Sequence, residues 1–310
     1  MSHYPVMLPE ILSALSPVDG GVYVDGTFGA GGYARAILDV ADCKVVAIDR
    51  DPDAQKRAAA MGDPRLIFLR GCFGDVERLL SEAGIDRVDG FVLDLGVSSF
   101  QLDEAERGFS FREDAPLDMR MDPENGQNAA DLIAGTGEED LANLIYKYGE
   151  ERKSRRIAHK IVEHRKEAPI ETTGQLADIV RSCLPRPKSK GKGGAIDSAT
   201  RTFQAIRIAV NDELGELERA LLSAENILKP DGIMVVVSFH SLEDGLVKRF
   251  FREQSGGESV SRYMPQIEAL PAKFELLSRK AAKPSEGEIA ENARSRSARL
   301  RAARFIGGGV

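Results

Sequence analysis

"VYVDGTFGAGGYARAILDV", Val22 to Val40, reads as a short apolar strand, a glycine-rich turn and a run with helical period. The strand ends in Asp25, and Gly26, Gly29, Gly31 and Gly32 make the turn. A strand that passes through such a turn into a helix is a common place to hold a nucleotide. Here the glycines miss the G-x-G-x-x-G order and no Walker lysine follows. Asp25 also puts a negative charge where a phosphate loop would least want one. The ligand must need the glycines and accept the acid.

Outward from this stretch the alternation continues. "KVVAIDRD" is a second strand ending at Asp49, and "PDAQKRAAAM" opens a helix with Pro52 at its first position. "RLIFLRGCF" and "VDGFVLDLG" are further strands, separated by the helical "DVERLLSEAG". Such alternation with short connections predicts a parallel sheet covered on both faces. From about Glu106 to about Ile208 strand signals vanish. Helical runs replace them: "EEDLANLIYKYG", "RRIAHKIVEHRKE" and "TTGQLADIVRSCL", the last with Thr172 or Thr173 as N-cap. "LPRPKSKGKGGAID" is too rich in Pro, Gly and Lys to pack and is expected to be a loop. The α/β pattern resumes with a long helix over "NDELGELERALLSAENILKPDG", the strand "IMVVVSF" and the helix "LEDGLVKRFFRE". "FELLS" and "SARLRAAR" supply two last strands. The expected organisation is one α/β domain over residues 1–105 and 209–310, with a helical insertion over 106–208.

Three strands end in an aspartate: Asp25, Asp49 and Asp94. In an open parallel sheet ligands sit beyond the carboxyl ends of the strands. A dinucleotide could use Asp49 for its ribose, but Asp25 and Asp94 would repel its pyrophosphate. A cation resolves the conflict. S-adenosylmethionine offers a ribose for Asp49, carries no phosphate, and brings a sulfonium and an ammonium that carboxylates attract. Each aspartate taken alone is also a strand-end cap or turn former.

Composition sets the outer bounds. At 310 residues, 42% hydrophobic and 29% charged, the chain can bury a large core. No apolar run approaches the roughly 18 residues of a membrane span. "MSHYPVMLPE" lacks a signal pattern, so a cytoplasmic protein is expected. Cys43, Cys72 and Cys183 are too few and scattered for disulfides or zinc, and no metal site is expected. Net charge is −7, yet bases cluster from Lys147 to Lys192 and again from Arg294 to Arg304. Local patches rather than the total decide whether a phosphate backbone can be held. Solvated helix faces would give the same pattern.

Longer strings make the reading specific. In order they are "YVDGTFG" (Tyr23 to Gly29), "AIDRDP" (Ala47 to Pro52), "LDLGVSSFQLD" (Leu93 to Asp103) and "ERGFSF" (Glu106 to Phe111). They continue with "PLDMRMD" (Pro116 to Asp122), "YGEER" (Tyr148 to Arg152), "ATRTFQAIRI" (Ala199 to Ile208) and "SFHSLED" (Ser238 to Asp244). Over nearly its whole length the chain closely resembles the bacterial family that methylates N4 of a cytidine in 16S ribosomal RNA. The resemblance implies a Rossmann-like class I methyltransferase sheet with a helical insertion for RNA recognition. It implies S-adenosylmethionine as donor and a decoding-region cytidine of the small ribosomal subunit as acceptor. Matched string by string, it puts cofactor contacts on Gly31, Gly32, Tyr33, Asp49, Phe73, Asp94 and Gln101. Two departures stand out: Tyr33 replaces the family's usual histidine, and "IDSATRTFQ" replaces "HPATRTFQ".

For the chemistry, Asp94 is the candidate catalytic residue, because an acceptor that holds the amine protons frees the nitrogen lone pair. "DLGVSS" lacks the prolines and aromatic that follow this acid in DNA amino-methyltransferases. The base must then stack elsewhere, with Phe109, Phe111 and Phe203 as candidates beside ordinary core packing. His240 could meet the base or cap the next helix, and Arg201 could meet a phosphate or pair within the protein. A non-catalytic RNA-binding factor has no need of the acidic triad. A small-molecule methyltransferase has no need of the basic insertion.

Overall fold

The computed structural model describes residues 5–184, 197–256 and 271–307. Residues 185–196 of the "LPRPKSKGKGGAID" loop, with Arg186, Lys188, Lys190 and Lys192, therefore lie outside the described residues.

Among the described residues seven strands form one sheet: β1 (Val22–Asp25), β2 (Lys44–Asp49), β3 (Leu66–Arg70), β4 (Val88–Asp94), β5 (Leu228–Ser238), β6 (Phe274–Leu276) and β7 (Arg299–Phe305). Their order is β3-β2-β1-β4-β5-β7-β6, with β1 to β5 parallel and β7 antiparallel to both neighbours. This is the Rossmann-like sheet of class I methyltransferases. The order reverses between β1 and β4, which is where such sheets open a crevice for a ligand.

The sequence builds this sheet by alternation. Tyr23, Val45, Ala47, Val92, Val235 and Val237 face one core, with the helices Leu8–Leu15, Gly32–Val40 and Pro52–Met61. Val24, Val46, Ile48, Phe91, Leu93, Met234 and Val236 face the other, with the helices Val76–Glu82, Glu213–Ile227 and Ser241–Gln254. Successive strand residues point to opposite faces, so a run apolar at every position is buried on both. Asp51 caps the Pro52–Met61 helix by accepting from the Asp53 N–H.

One boundary differs from expectation. The helix expected through residue 232 ends at Ile227, and β5 begins at Leu228, which pairs with Val88. Pro230 cannot donate to a helix, and Leu228 is fully buried against the sheet. The irregular Lys229–Gly232 stretch, with Asp231 at φ 65°, is absorbed as a register shift opposite Val88 and Gly90.

Backbone contacts divide the chain into two compact units, residues 1–96 with 214–310, and residues 97–213. Among the described residues the second unit has helices but no strand longer than an isolated bridge between Pro116 and Thr172. Its helices are Ser99–Asp103, Ala129–Gly135, Glu138–Gly149, Ser154–Glu167, Thr173–Cys183 and Thr200–Asn211. They enclose their own core of Ile133, Leu141, Ile145, Ile157, Ile161, Leu176, Val180 and Ile206. Thr172, of the two threonines, is the N-cap, in a capping box with Gln175.

Candidate active site

Asp25, Asp49 and Asp94 end three strands that are neighbours in the order β2, β1, β4. Neighbouring strands lie about 4.8 Å apart, so the sheet gathers the three carboxylates along one short edge. Their surroundings give each a different task.

Asp25 is fully buried. Its oxygens accept from the Thr27 N–H at 3.3 Å and the Ala34 N–H at 3.2 Å, so the acid holds the glycine turn together from within. Burial pushes its pKa up to about 7, against the lowering effect of those bonds. Asp49 accepts from the Gly29 N–H at 2.7 Å and the Asp51 N–H at 2.9 Å, and burial again raises its pKa. Each of its oxygens keeps a second lone pair, enough for a ribose diol.

Asp94 differs from both. Its backbone N–H donates to Thr27 Oγ1 at 2.7 Å, but its buried Oδ1 has no hydrogen-bond partner. Burial raises its pKa to about 8, opposed by the Tyr33 hydroxyl and assisted by the charges of Asp25, Glu243 and Glu288. An orphaned buried carboxylate oxygen is costly, and a bound group that donates to it removes the cost.

Tyr33 stands where the resembling family usually has histidine. Its buried hydroxyl donates to the Val6 carbonyl at 2.6 Å, while the phenol stands beside Asp94. Tyr33 thus ties down the N-terminal segment beside Asp94. The adjacent glycines also have internal reasons. A Cβ on Gly31 (φ 77°) would lie 2.6 Å from the Phe28 ring, and one on Gly32 would lie 2.3 Å from Pro5 Cγ. Packing of the chain on itself thus demands both glycines, whatever ligand approaches.

Phe73 opens a short turn after β3 and packs partly against the second core. Gln101 lies in the helical unit. Its side-chain oxygen accepts from the Ser98 N–H at 3.0 Å within a capping box. His240 is the N-cap of the Ser241–Gln254 helix. Its Nδ1 accepts from the Glu243 N–H at 3.4 Å, and its Nε2 lies 3.1 Å from Glu243 Oε1, so the ring is held by the helix that it caps.

The three phenylalanines offered for stacking belong to the core of the helical unit. Phe109 and Phe203 are buried, and Phe111 packs edge-on to Phe203 at 4.6 Å. Arg201 donates to the Glu150 carbonyl at 3.4 Å. Other bases are also engaged: Arg165 with the Ile133 and Thr136 carbonyls, Arg181 with Asp178 and Asp197, Lys160 with Glu163, and Arg301 with Asp244. Arg152, Lys153, Arg155 and Arg156 are exposed and have no hydrogen bond or ion pair from their side chains among the described residues.

Sequence reasoning missed Glu243 and Glu288, both of which raise the Asp94 pKa. Glu243 follows His240 at capping-box spacing, a readable signal. Glu288, which accepts from the Met7 N–H at 2.9 Å across 281 positions, leaves none.

Asp49→Ala is expected to weaken binding of S-adenosylmethionine by about 1.5–3 kcal/mol, the range for hydrogen bonds to a charged group. The Gly29 and Asp51 N–H groups lose their acceptor as well. Calorimetry returning wild-type affinity would remove Asp49 from the site.

Known proteins resemble the chain over nearly its whole length. The chain is 55% identical over 309 residues to the ribosomal RNA small subunit methyltransferase H of Rhodospirillum rubrum, covering 97% of this chain and 93% of that protein. It is 53% identical over 307 residues to that of Paramagnetospirillum magneticum (97% and 95%), and 56% over 306 residues to that of Gluconobacter oxydans (97% and 92%). A family profile matches residues 1–306, and the chain belongs to the MraW methylase family.

Proposed function

We propose that this methylase transfers a methyl group from S-adenosylmethionine to the N4 amine of a cytidine in the decoding region of 16S ribosomal RNA, in the cytoplasm. The relatives' names support ribosomal RNA of the small subunit as the substrate. The observation that carries the chemistry is the unpartnered Asp94 Oδ1 at the crevice between β1 and β4.

Asp49 holds the ribose hydroxyls and Phe73 offers an apolar face to adenine. Gly31, Gly32 and Tyr33 shape the turn against the methionine part, and the family resemblance adds Gln101 as a further cofactor contact. The acids favour the sulfonium and ammonium of the donor, which a phosphate-bearing cofactor could not match. The donor supplies a methyl carbon already activated by sulfur. Asp94 accepts a hydrogen bond from the N4 amine, drawing its lone pair out of conjugation as the nitrogen attacks in line. Loss of the methyl group would leave the donor as a neutral thioether, which balances the transfer. The cationic nitrogen then loses a proton to Asp94 and onward to water.

The helical unit supplies the RNA surface in this reading. Arg152, Lys153, Arg155 and Arg156 crowd the start of the Ser154–Glu167 helix, which has no acid in its first turn and no side-chain cap. Cations there oppose the helix dipole, at roughly 0.3–1 kcal/mol each. An external phosphate backbone would offset that cost. Replacing all four by Gln is expected to weaken binding to small subunits. Each lost single-strand phosphate contact lowers the salt slope by about 0.7, so the slope should fall by about two to three units. Affinity for the donor should not change. Wild-type affinity and slope would move the RNA surface elsewhere, with Lys188, Lys190 and Lys192 as the next variant.

Methyl-labelled donor, offered to small subunits, naked ribosomal RNA and metabolite extracts, tests the reading. Incorporation into cytidine of subunits or RNA is expected; labelling of the metabolite pool alone would refute it.

A further inference from the structure

One buried carboxylate outside the acidic edge is tied to both sides of the proposed adenosine pocket. Glu216, 6% exposed, lies on the Glu213–Ile227 helix, which packs on the second core. Its Oε2 accepts from the Gly74 N–H at 2.9 Å. Its Oε1 lies 2.8 Å from Arg219 and 3.6 Å from Arg50. Gly74 is pressed against it so closely that a Cβ there would lie 2.3 Å from Oε2 and 3.0 Å from the Glu216 backbone. Gly74 follows Phe73, which offers the adenine face, and Arg50 follows Asp49, which offers the ribose acceptor. The carboxylate therefore spans the end of β2 and the turn after β3, one residue from each proposed contact.

We infer that Glu216 is a positioning residue for the adenosine end of the cofactor, fixing the separation of Asp49 and Phe73. This rests on the proposed placement of adenosine between those two residues. The physical reason is the stiffness of a buried, charge-assisted bond. Without it the Gly74 N–H and the Arg50 guanidinium lose a shared anchor, and the turn bearing Phe73 can drift from the ribose acid. Small displacements of a positioning group are enough to spoil a fitted pocket. Glu216 touches no reacting atom, so its loss acts on cofactor affinity and leaves the methyl-transfer step alone.

The test compares Glu216→Gln and Glu216→Ala by equilibrium binding of S-adenosylhomocysteine and of 5′-methylthioadenosine, which lacks the amino-acid part. Glu216→Ala is expected to weaken both ligands by about tenfold or more and by the same factor, since only the shared adenosine end is affected. KM for S-adenosylmethionine should rise by that factor, with kcat at saturation within about twofold of wild type. Glu216→Gln keeps an acceptor for Gly74 and loses the charge, so it should lie between wild type and Ala. If the Ala variant does not fold, the Gln variant decides. Wild-type affinity for both ligands would overturn the inference, and so would a fall in kcat with the adenosine affinity intact. Asp49→Ala and Phe73→Ala serve as controls. If they weaken 5′-methylthioadenosine while the Glu216 variants do not, only this inference fails; if they too are silent, the adenosine placement itself fails.

Discussion

Between pH 8 and pH 6 the affinity for S-adenosylmethionine is expected to fall by about ten- to a hundredfold, because the empty site must lose a proton to receive a cation. Burial holds Asp25 at about 7 and Asp94 at about 8, so both are largely neutral at pH 6. A neutral carboxyl offers a sulfonium little attraction. Binding therefore favours the ionised forms and releases protons. Each proton released makes affinity change about tenfold per pH unit below the pKa of its group. Above about pH 8 both acids are already charged and affinity should level off. S-adenosylhomocysteine, which lacks the sulfonium, should show a shallower profile. Calorimetry at pH 7 in buffers of different ionisation enthalpy counts the protons directly, and about one per donor bound is expected. A heat independent of buffer, with a flat profile, would mean the acids do not face the donor's charge.

Asp94→Asn is expected to cost catalysis and to stabilise the empty protein at once. The amide keeps the shape but is a weaker acceptor and cannot take a proton. The single-turnover rate at saturating donor should drop about 10²–10³-fold, the scale for removing one preorganised partner of a developing charge. Stability moves the other way, and the sign follows from linkage. The folded pKa of Asp94 lies above its unfolded value. The stability held by the neutral carboxyl is complete below the unfolded pKa and is lost as pH rises through about 8. Asparagine carries no such loss. The two proteins should melt alike near pH 4, diverge as pH rises, and differ by a constant several degrees above about pH 8. A wild-type single-turnover rate would exclude the catalytic role. Parallel melting profiles would mean the carboxylate is not desolvated in the empty protein.

Much of this site is legible in the sequence, for local reasons. Strands β1, β2 and β4 each close an apolar run on an aspartate, and parallel strands in a covered sheet bring such ends together. Thr172 and Asp51 announce the helices they cap through short-range chemistry. Other features depend on contacts that composition cannot show. The basic run from Lys147 to Lys192 looks uniform, yet Arg165 and Arg181 serve helix ends and an ion pair, leaving Arg152 to Arg156 as the exposed cluster. Phe111 and Phe203 look like stacking partners until the helical core claims them. Helical propensity runs past Ile227, and only the pairing of Leu228 with Val88 ends it there. Glu216 and Glu288 act across the sheet domain on residues far away in sequence, where no local pattern points to them.

The most direct measurement is the position and chemical form of the transferred methyl group. Small ribosomal subunits from cells lacking this protein would be incubated with the purified protein and methyl-labelled S-adenosylmethionine, then digested to nucleosides and mapped by mass spectrometry. Label in N4-methylcytidine at one decoding-region position of 16S ribosomal RNA, lost with Asp94→Asn, is the expected result. Label on a ring carbon, on another base or on a ribose, or no label in ribosomal RNA at all, would contradict it.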